Sequence, residues 1–145
     1  MKFQDVLCRI GACGVILGTT FGCHRADRPP MGKVSGVVTL NGEPMPGVAV
    51  IFRPSAGGRQ STDRTDEAGR YTLHYFENEP GCAVGEHEVY LSTAIPEDEP
   101  GGPQPERVPV EYRGRGKLQT EVHAGRNGID FKLGQPGETV VVRQQ

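Results

Sequence analysis

The chain has no tryptophan, and Phe and Tyr together supply only 6% of its residues. It therefore lacks the broad aromatic platforms on which sugar-binding and single-strand-binding modules stack their ligands. An excess of one charge is missing too. Its 16 Lys and Arg stand against 18 Asp and Glu, a formal net charge of −2, which gives no electrostatic footprint for nucleic acid or anionic lipid. No apolar run approaches the roughly 20 residues of a membrane-spanning helix. What is plentiful is Gly (21) and Pro (12) among 145 residues of which only 35% are hydrophobic, a balance that disfavours long helices and favours short strands joined by turns. The length suits one domain, and the expectation is all-β.

The N-terminus has its own pattern. Lys2 and Arg9 precede an uncharged stretch of thirteen residues, Ile10 to Gly22, that stops at Cys23. This is the n-region and h-region of a secretory signal, and it is too short and Gly-rich for a permanent span. Thr20-Phe21-Gly22-Cys23 resembles the lipobox of bacterial lipoproteins, whose Cys is lipidated and becomes the new N-terminus, with Thr20 where Leu is usual. Ile10-Gly11-Ala12-Cys13 fits the four-residue pattern better, but Arg9 leaves almost no hydrophobic segment ahead of it, so position favours Cys23. An ordinary cleaved signal, with Cys23 incidental, is the plainer alternative. Residues 24 to 32, with Pro29-Pro30 and no apolar period, read as a linker. Removal of Lys2, Asp5 and Arg9 with the signal leaves 14 basic and 17 acidic residues, a net charge of −3.

Cysteine usage follows from that division. Cys8 and Cys13 leave with the signal and Cys23 carries lipid, so Cys82 alone remains and no internal disulfide is expected. Cys82 lies between turn residues and a strand, without a neighbouring His or Asn motif, and reads as a buried small hydrophobe.

From Lys33 the chain reads as strand and turn. Val34, Gly36, Val38 and Leu40 alternate with polar or outward positions, Asn41-Gly42 closes the strand, and Val48, Val50 and Phe52 form the inward face of a second. Thr62 to Thr65 suggests a short edge strand, polar on both faces. Asp66-Glu67-Ala68-Gly69 is a turn, after which Tyr71 and Leu73 point inward. Gly85 to Ile95 places His87, Val89 and Leu91 inward, and the Pro-rich, acidic segment 96–109 reads as an exposed loop of low order. Leu118 to Val122 and Ile129 to Leu133 are strands joined by an Ala124–Gly128 turn, and Thr139 to Arg143 suggests a marginal edge strand. About seven short strands with alternating faces argue for a two-sheet sandwich. The division is a signal at 1–22, a linker at 23–32, a sandwich at 33–134 and a tail at 135–145.

The runs Val34 to Phe52, Thr65 to Leu73 and Pro80 to Val89 resemble the carboxypeptidase regulatory-like domains of the transthyretin-like group. Val108 to Tyr112 and Leu118 to Leu133 continue a resemblance to small lipoproteins of planctomycete-type bacteria. The resemblance implies a seven-stranded, transthyretin-like or immunoglobulin-like sandwich and a non-catalytic accessory role beside other proteins.

Hydroxyisourate hydrolase shares that fold and ends in Tyr-Arg-Gly-Ser, against Tyr112-Arg113-Gly114-Arg115 here, where Arg115 replaces Ser, the motif lies far from the C-terminus and the first strand lacks the enzyme's His. His24, His74, His87 and His123 never occur at ligand-pair spacing, and Asp63, Asp66 and Glu67 lack the alternation of a calcium loop, so no metal or cofactor is expected. Glu97-Asp98-Glu99 and Arg113, Arg115 and Lys117 read as solvated loop charges. The expectation is a lipid-anchored, extracytoplasmic structural or protein-interaction module of the cell envelope that does not bind nucleic acid. The alternatives are a carbohydrate or peptidoglycan binder using Tyr75 and Tyr90 and, last, a hydrolase.

Overall fold

A computed structural model describes residues 28–95, 100, 102–137 and 139–144. The proposed signal, Cys23 and His24, and the acidic triplet Glu97-Asp98-Glu99, lie outside the described residues. The described chain is almost entirely β, folded as two six-stranded sheets packed face to face.

The strands are β1 (Met31–Leu40), β2 (Glu43–Pro44), β3 (Ala49–Pro54), β4 (Ser61–Arg64), β5 (Arg70–Thr72) and β6 (His74–Phe76). They continue as β7 (Glu79–Pro80), β8 (Cys82–Ala83), β9 (Gly85–Ser92), β10 (Leu118–Val122), β11 (Gly125–Leu133) and β12 (Val140–Gln144). The first sheet runs β12-β11-β1-β2, with β5 and β8 also on β1; the second runs β10-β9-β3-β4-β6-β7. β1 and β11 are parallel, and the other pairs are antiparallel.

The twelve strands exceed the expected seven partly because β2, β7 and β8 are two-residue pairings too short to show a period, and partly because the chain changes sheet where one continuous strand was expected. Arg70 to His74 breaks at Leu73: β5 pairs with β1, β6 pairs with β4, and the buried Leu73 donates its N–H to Val34 O at 2.9 Å. A period of two survives such a break, since both pieces keep alternating, so the pattern did not mark it.

The inward faces are those the alternation indicates. Val34, Val38, Val48, Val50, Phe52, Tyr71, Leu73, Val89, Leu91, Ile129, Phe131 and Leu133 are all buried. Phe131 sits at the centre, with the Phe52 ring at 6.1 Å and near-perpendicular, and the Tyr71 ring at 6.2 Å. The Asn41-Gly42 turn takes φ of 52° and 87°, as a tight hairpin turn requires, and Gly69 (φ 71°) closes the Asp66 turn through its N–H to Asp66 O. Gly36 has a different reason. A Cβ there would stand 1.8 Å from Ile129 O, the acceptor of the Tyr71 hydroxyl at 2.6 Å, so a hydrogen atom is all this crossing admits.

Three further expectations are corrected. Thr62 to Thr65 is not an edge: β4 lies between β3 and β6, and Ser61 and Thr65 are buried. The Thr65 hydroxyl earns that burial by donating to Met45 O at 2.7 Å while accepting from Val48 N at 2.8 Å. The Ala124–Gly128 turn is shorter than expected, because β11 begins at Gly125 and the buried Asn127 amide bridges His123 N and O across the change of sheet. The described part of 96–109 is held in place. Glu106 accepts from Ser92 Oγ, Thr93 N and Val108 N, Ile95 bridges Gln104, and Val108 enters the core. The edge strand near the C-terminus is β12, and it extends the first sheet beyond β11 as far as Gln144.

Candidate functional site

Two places in the fold gather chemistry, one inside and one outside. The inner one joins Cys82 and His87, which no motif in the sequence links. β8 and β9 are separated by one residue, Val84, and the alternation of β9 turns His87 inward, so the side chains at i and i+5 meet. Cys82 Sγ lies 3.4 Å from His87 Nε2, and His87 Nδ1 lies 2.9 Å from Gly85 O. Because a carbonyl only accepts, Nδ1 carries the imidazole proton and Nε2 accepts from the thiol.

Both groups are held neutral. Burial pushes the Cys82 thiol up to about 11 against the opposing effect of Ser61 and the Ala83 N–H. Burial also pushes His87 below its ordinary value, opposed by the Gly85 carbonyl. A nucleophilic dyad needs the reverse, a thiol made acidic by a nearby cation and open to substrate. Cys82 and His87 are 0% and 1% exposed, and the Phe52 ring lies 5.8 Å from the imidazole. The pair is a satisfied polar contact in the core. Its sequence signal was the short spacing across a Gly, which reads as a turn until the sheet pairing is known.

The outer place is the solvent face of the second sheet. There a shallow, open depression of about 1310 Å³ spans β3, β4 and β6, with Ile51 and Thr62 on its floor. Arg53, Arg59, Arg64 and Arg115 line it, and of the two carboxylates lining it among the described residues one, Asp63, is engaged by the Thr72 N–H at 2.6 Å. Arg115 faces Glu88 at 3.6 Å. Among the described residues no carboxylate lies within ion-pair distance of Arg53, Arg59 or Arg64. They are positioned by other contacts. The Arg53 guanidinium lies 5.0 Å from the Tyr90 ring centre, Arg59 lies 4.3 Å from that of Phe76 and donates to Tyr75 O, and Arg64 donates to Gly47 O at 2.9 Å.

The remaining candidates separate. Tyr90 donates to Glu88, and Tyr75 packs edge-on against the half-exposed Phe76 at 4.9 Å, so neither presents a free stacking face in the way a sugar platform would. Asp66 caps its own turn, accepting from Ala68 N and Arg70 N and pairing with Arg70, and Arg70 holds its carboxyl below the usual value. His74 lines the depression, whereas His123 follows β10 on the far side of the second sheet, about 19 Å away at the usual strand spacing. Among the described residues no group of three or more His, Cys, Asp or Glu side chains is placed to hold a metal ion. The Tyr112 hydroxyl accepts from Gly134 N–H at 2.9 Å while Arg115 turns to the second sheet, so Tyr112-Arg113-Gly114-Arg115 divides between two structural tasks.

The site thus defines an all-β two-sheet sandwich with an arginine-lined open face. No known protein family, curated protein or solved structure matches the chain.

Proposed function

We propose that the chain is a non-catalytic accessory module of the cell envelope, exported, anchored through a lipidated Cys23, and engaged with a protein partner through the outer face of its second sheet. The observation that carries this reading is the open depression on that face, where three positioned guanidiniums have no carboxylate partner among the described residues. Guanidiniums held by cation–π and backbone contacts lose little freedom when an anion arrives, which suits recognition. The resemblance of Val34–Phe52, Thr65–Leu73 and Pro80–Val89 to carboxypeptidase regulatory-like domains supports an accessory role, since such a domain lies beside a catalytic unit and carries none of its chemistry. The neutral, enclosed Cys82–His87 pair supports it from the other side. A carbohydrate-binding reading is less well supported, because guanidiniums already cover the Tyr90 and Phe76 rings.

The anchor is tested on the chain recovered from membranes. Mass measurement is expected to find an acylated Cys23 as the first residue, and Cys23→Ser is expected to release the protein, because acyl chains contribute about 0.8 kcal/mol per buried CH₂. An unmodified terminus elsewhere contradicts the anchor. The accessory role is tested by size in mild detergent: a complex heavier than the chain, retained by Cys82→Ser, is expected, and a lone chain that turns over substrate contradicts it.

A further inference from the structure

We propose that the outer face of the second sheet recognises an extended acidic polypeptide in which two carboxylates four residues apart flank an apolar side chain. This rests on the interaction-module reading and adds the chemistry of the partner.

The register of the strands sets the spacing. On β3, Ala49, Ile51 and Arg53 face outward, and β4 is paired so that Arg64 lies opposite Ala49 and Thr62 opposite Ile51. Arg64 and Arg53 are therefore at opposite ends of the depression, offset by four residues along the strand direction, about 14 Å at the rise of a β-strand. Midway between them is the half-buried Ile51, with Thr62 on one side and Tyr90 on the other. An extended peptide lying along β3 repeats every two residues on one face. Its residues i and i+4 then lie over the strand positions of the two arginines, within reach of their long side chains, and residue i+2 sits over Ile51.

Charge selects the sign of the ligand. Among the described residues the lining holds four arginines, and the one lining carboxylate that makes no contact with a backbone donor is the exposed Glu77 in the turn after β6. Arg53 and Arg64 are exposed, and each keeps guanidinium N–H groups beyond its contact with Tyr90 or Gly47 O that can donate to a carboxylate. The choice of a peptide over an acidic glycan follows from the rings: a sugar needs an open aromatic face, and those of Tyr90 and Phe76 are occupied by Arg53 and Arg59.

The test is titration of the detergent-solubilised full chain with a synthetic peptide containing Glu-Thr-Leu-Thr-Glu, its Lys-Thr-Leu-Thr-Lys counterpart, a version with the acids three residues apart, and polygalacturonate. Binding of the first, weakened about tenfold by Arg53→Ala and again by Arg64→Ala, lowered by salt, and at least tenfold weaker for the other two peptides, is expected. Each variant is checked for unchanged thermal melting. Equal binding of acidic and basic peptides, or none, overturns the proposal, and tighter Arg-dependent binding of polygalacturonate overturns it in favour of a glycan. If the peptides fail while partner crosslinks still disappear in Arg53→Ala/Arg64→Ala, the acidic motif is wrong and the interaction-module reading survives; if the crosslinks persist as well, both fail.

Discussion

Cys82 Sγ and His87 Nε2 lie 3.4 Å apart within the core, with the thiol pushed up to about 11 and the imidazole pushed down. At pH 8 such a thiol is roughly 0.1% thiolate, so the native protein should resist alkylation by iodoacetamide, reacting about a hundredfold more slowly than in denaturant. Mass spectrometry of timed samples checks this. Rapid labelling in the native state would show an open, activated cysteine.

His87 also gives the fold a pH dependence of definite sign. Its folded pKa lies below the ordinary 6.5, so the unfolded chain takes up the proton first. Its contribution is complete above 6.5 and is lost as pH falls through the folded value. His87→Leu should flatten the slope of stability between pH 7.5 and 5.5 measured by chemical denaturation, and an unchanged slope would place the titration elsewhere.

A second window belongs to Glu106. Partial burial raises its pKa, but the Ser92 hydroxyl, the Thr93 and Val108 N–H groups and the Thr93 hydroxyl outweigh that and bring it from 4.5 to about 2. This stabilisation is present above 4.5 and is lost as pH falls towards 2. Glu106→Gln should remove that acid-side slope and leave the His87 window intact, with proteolysis near residues 102–109 rising as the Glu106 contacts weaken.

The core predictions rest on two crowded positions. Phe131→Ala should cost on the order of 3–5 kcal/mol, since the Phe52 and Tyr71 rings both pack on it. Gly36→Ala should destabilise by at least about 2 kcal/mol, because its Cβ meets Ile129 O, and the backbone of β1 cannot yield without loosening β11. Arg70→Ala, an exposed partner of Asp66, should stay within roughly 1 kcal/mol. Equal melting shifts for Phe131→Ala and Arg70→Ala would contradict the strand register.

Alternation made the inward faces legible, because one buried face imposes a period of two wherever a strand pairs. Phe52, Tyr71, Val89 and Phe131 were placed inward on that ground, and all four are buried. The crossing at Leu73 was not legible, since alternation continues through a change of sheet, and neither was the interior position of β4, whose Thr65 is buried by hydrogen bonds and not by apolarity. Of the candidate site, Arg115 and Tyr90 were visible as residues but not as neighbours. Arg53, Arg59 and Arg64 carry no signal in the sequence, because scattered arginines gain meaning only when strand register sets them on one face.

Position-resolved photo-crosslinking in intact cells tests the working face most directly. A photoreactive residue replacing Thr62, in the depression, should give a discrete protein adduct that is lost on adding Arg53→Ala/Arg64→Ala, while the same residue replacing the exposed Lys132 on the first sheet should give none. Adducts from Lys132 and not from Thr62, or from both regardless of the arginines, would contradict the assignment of the second sheet as the binding face.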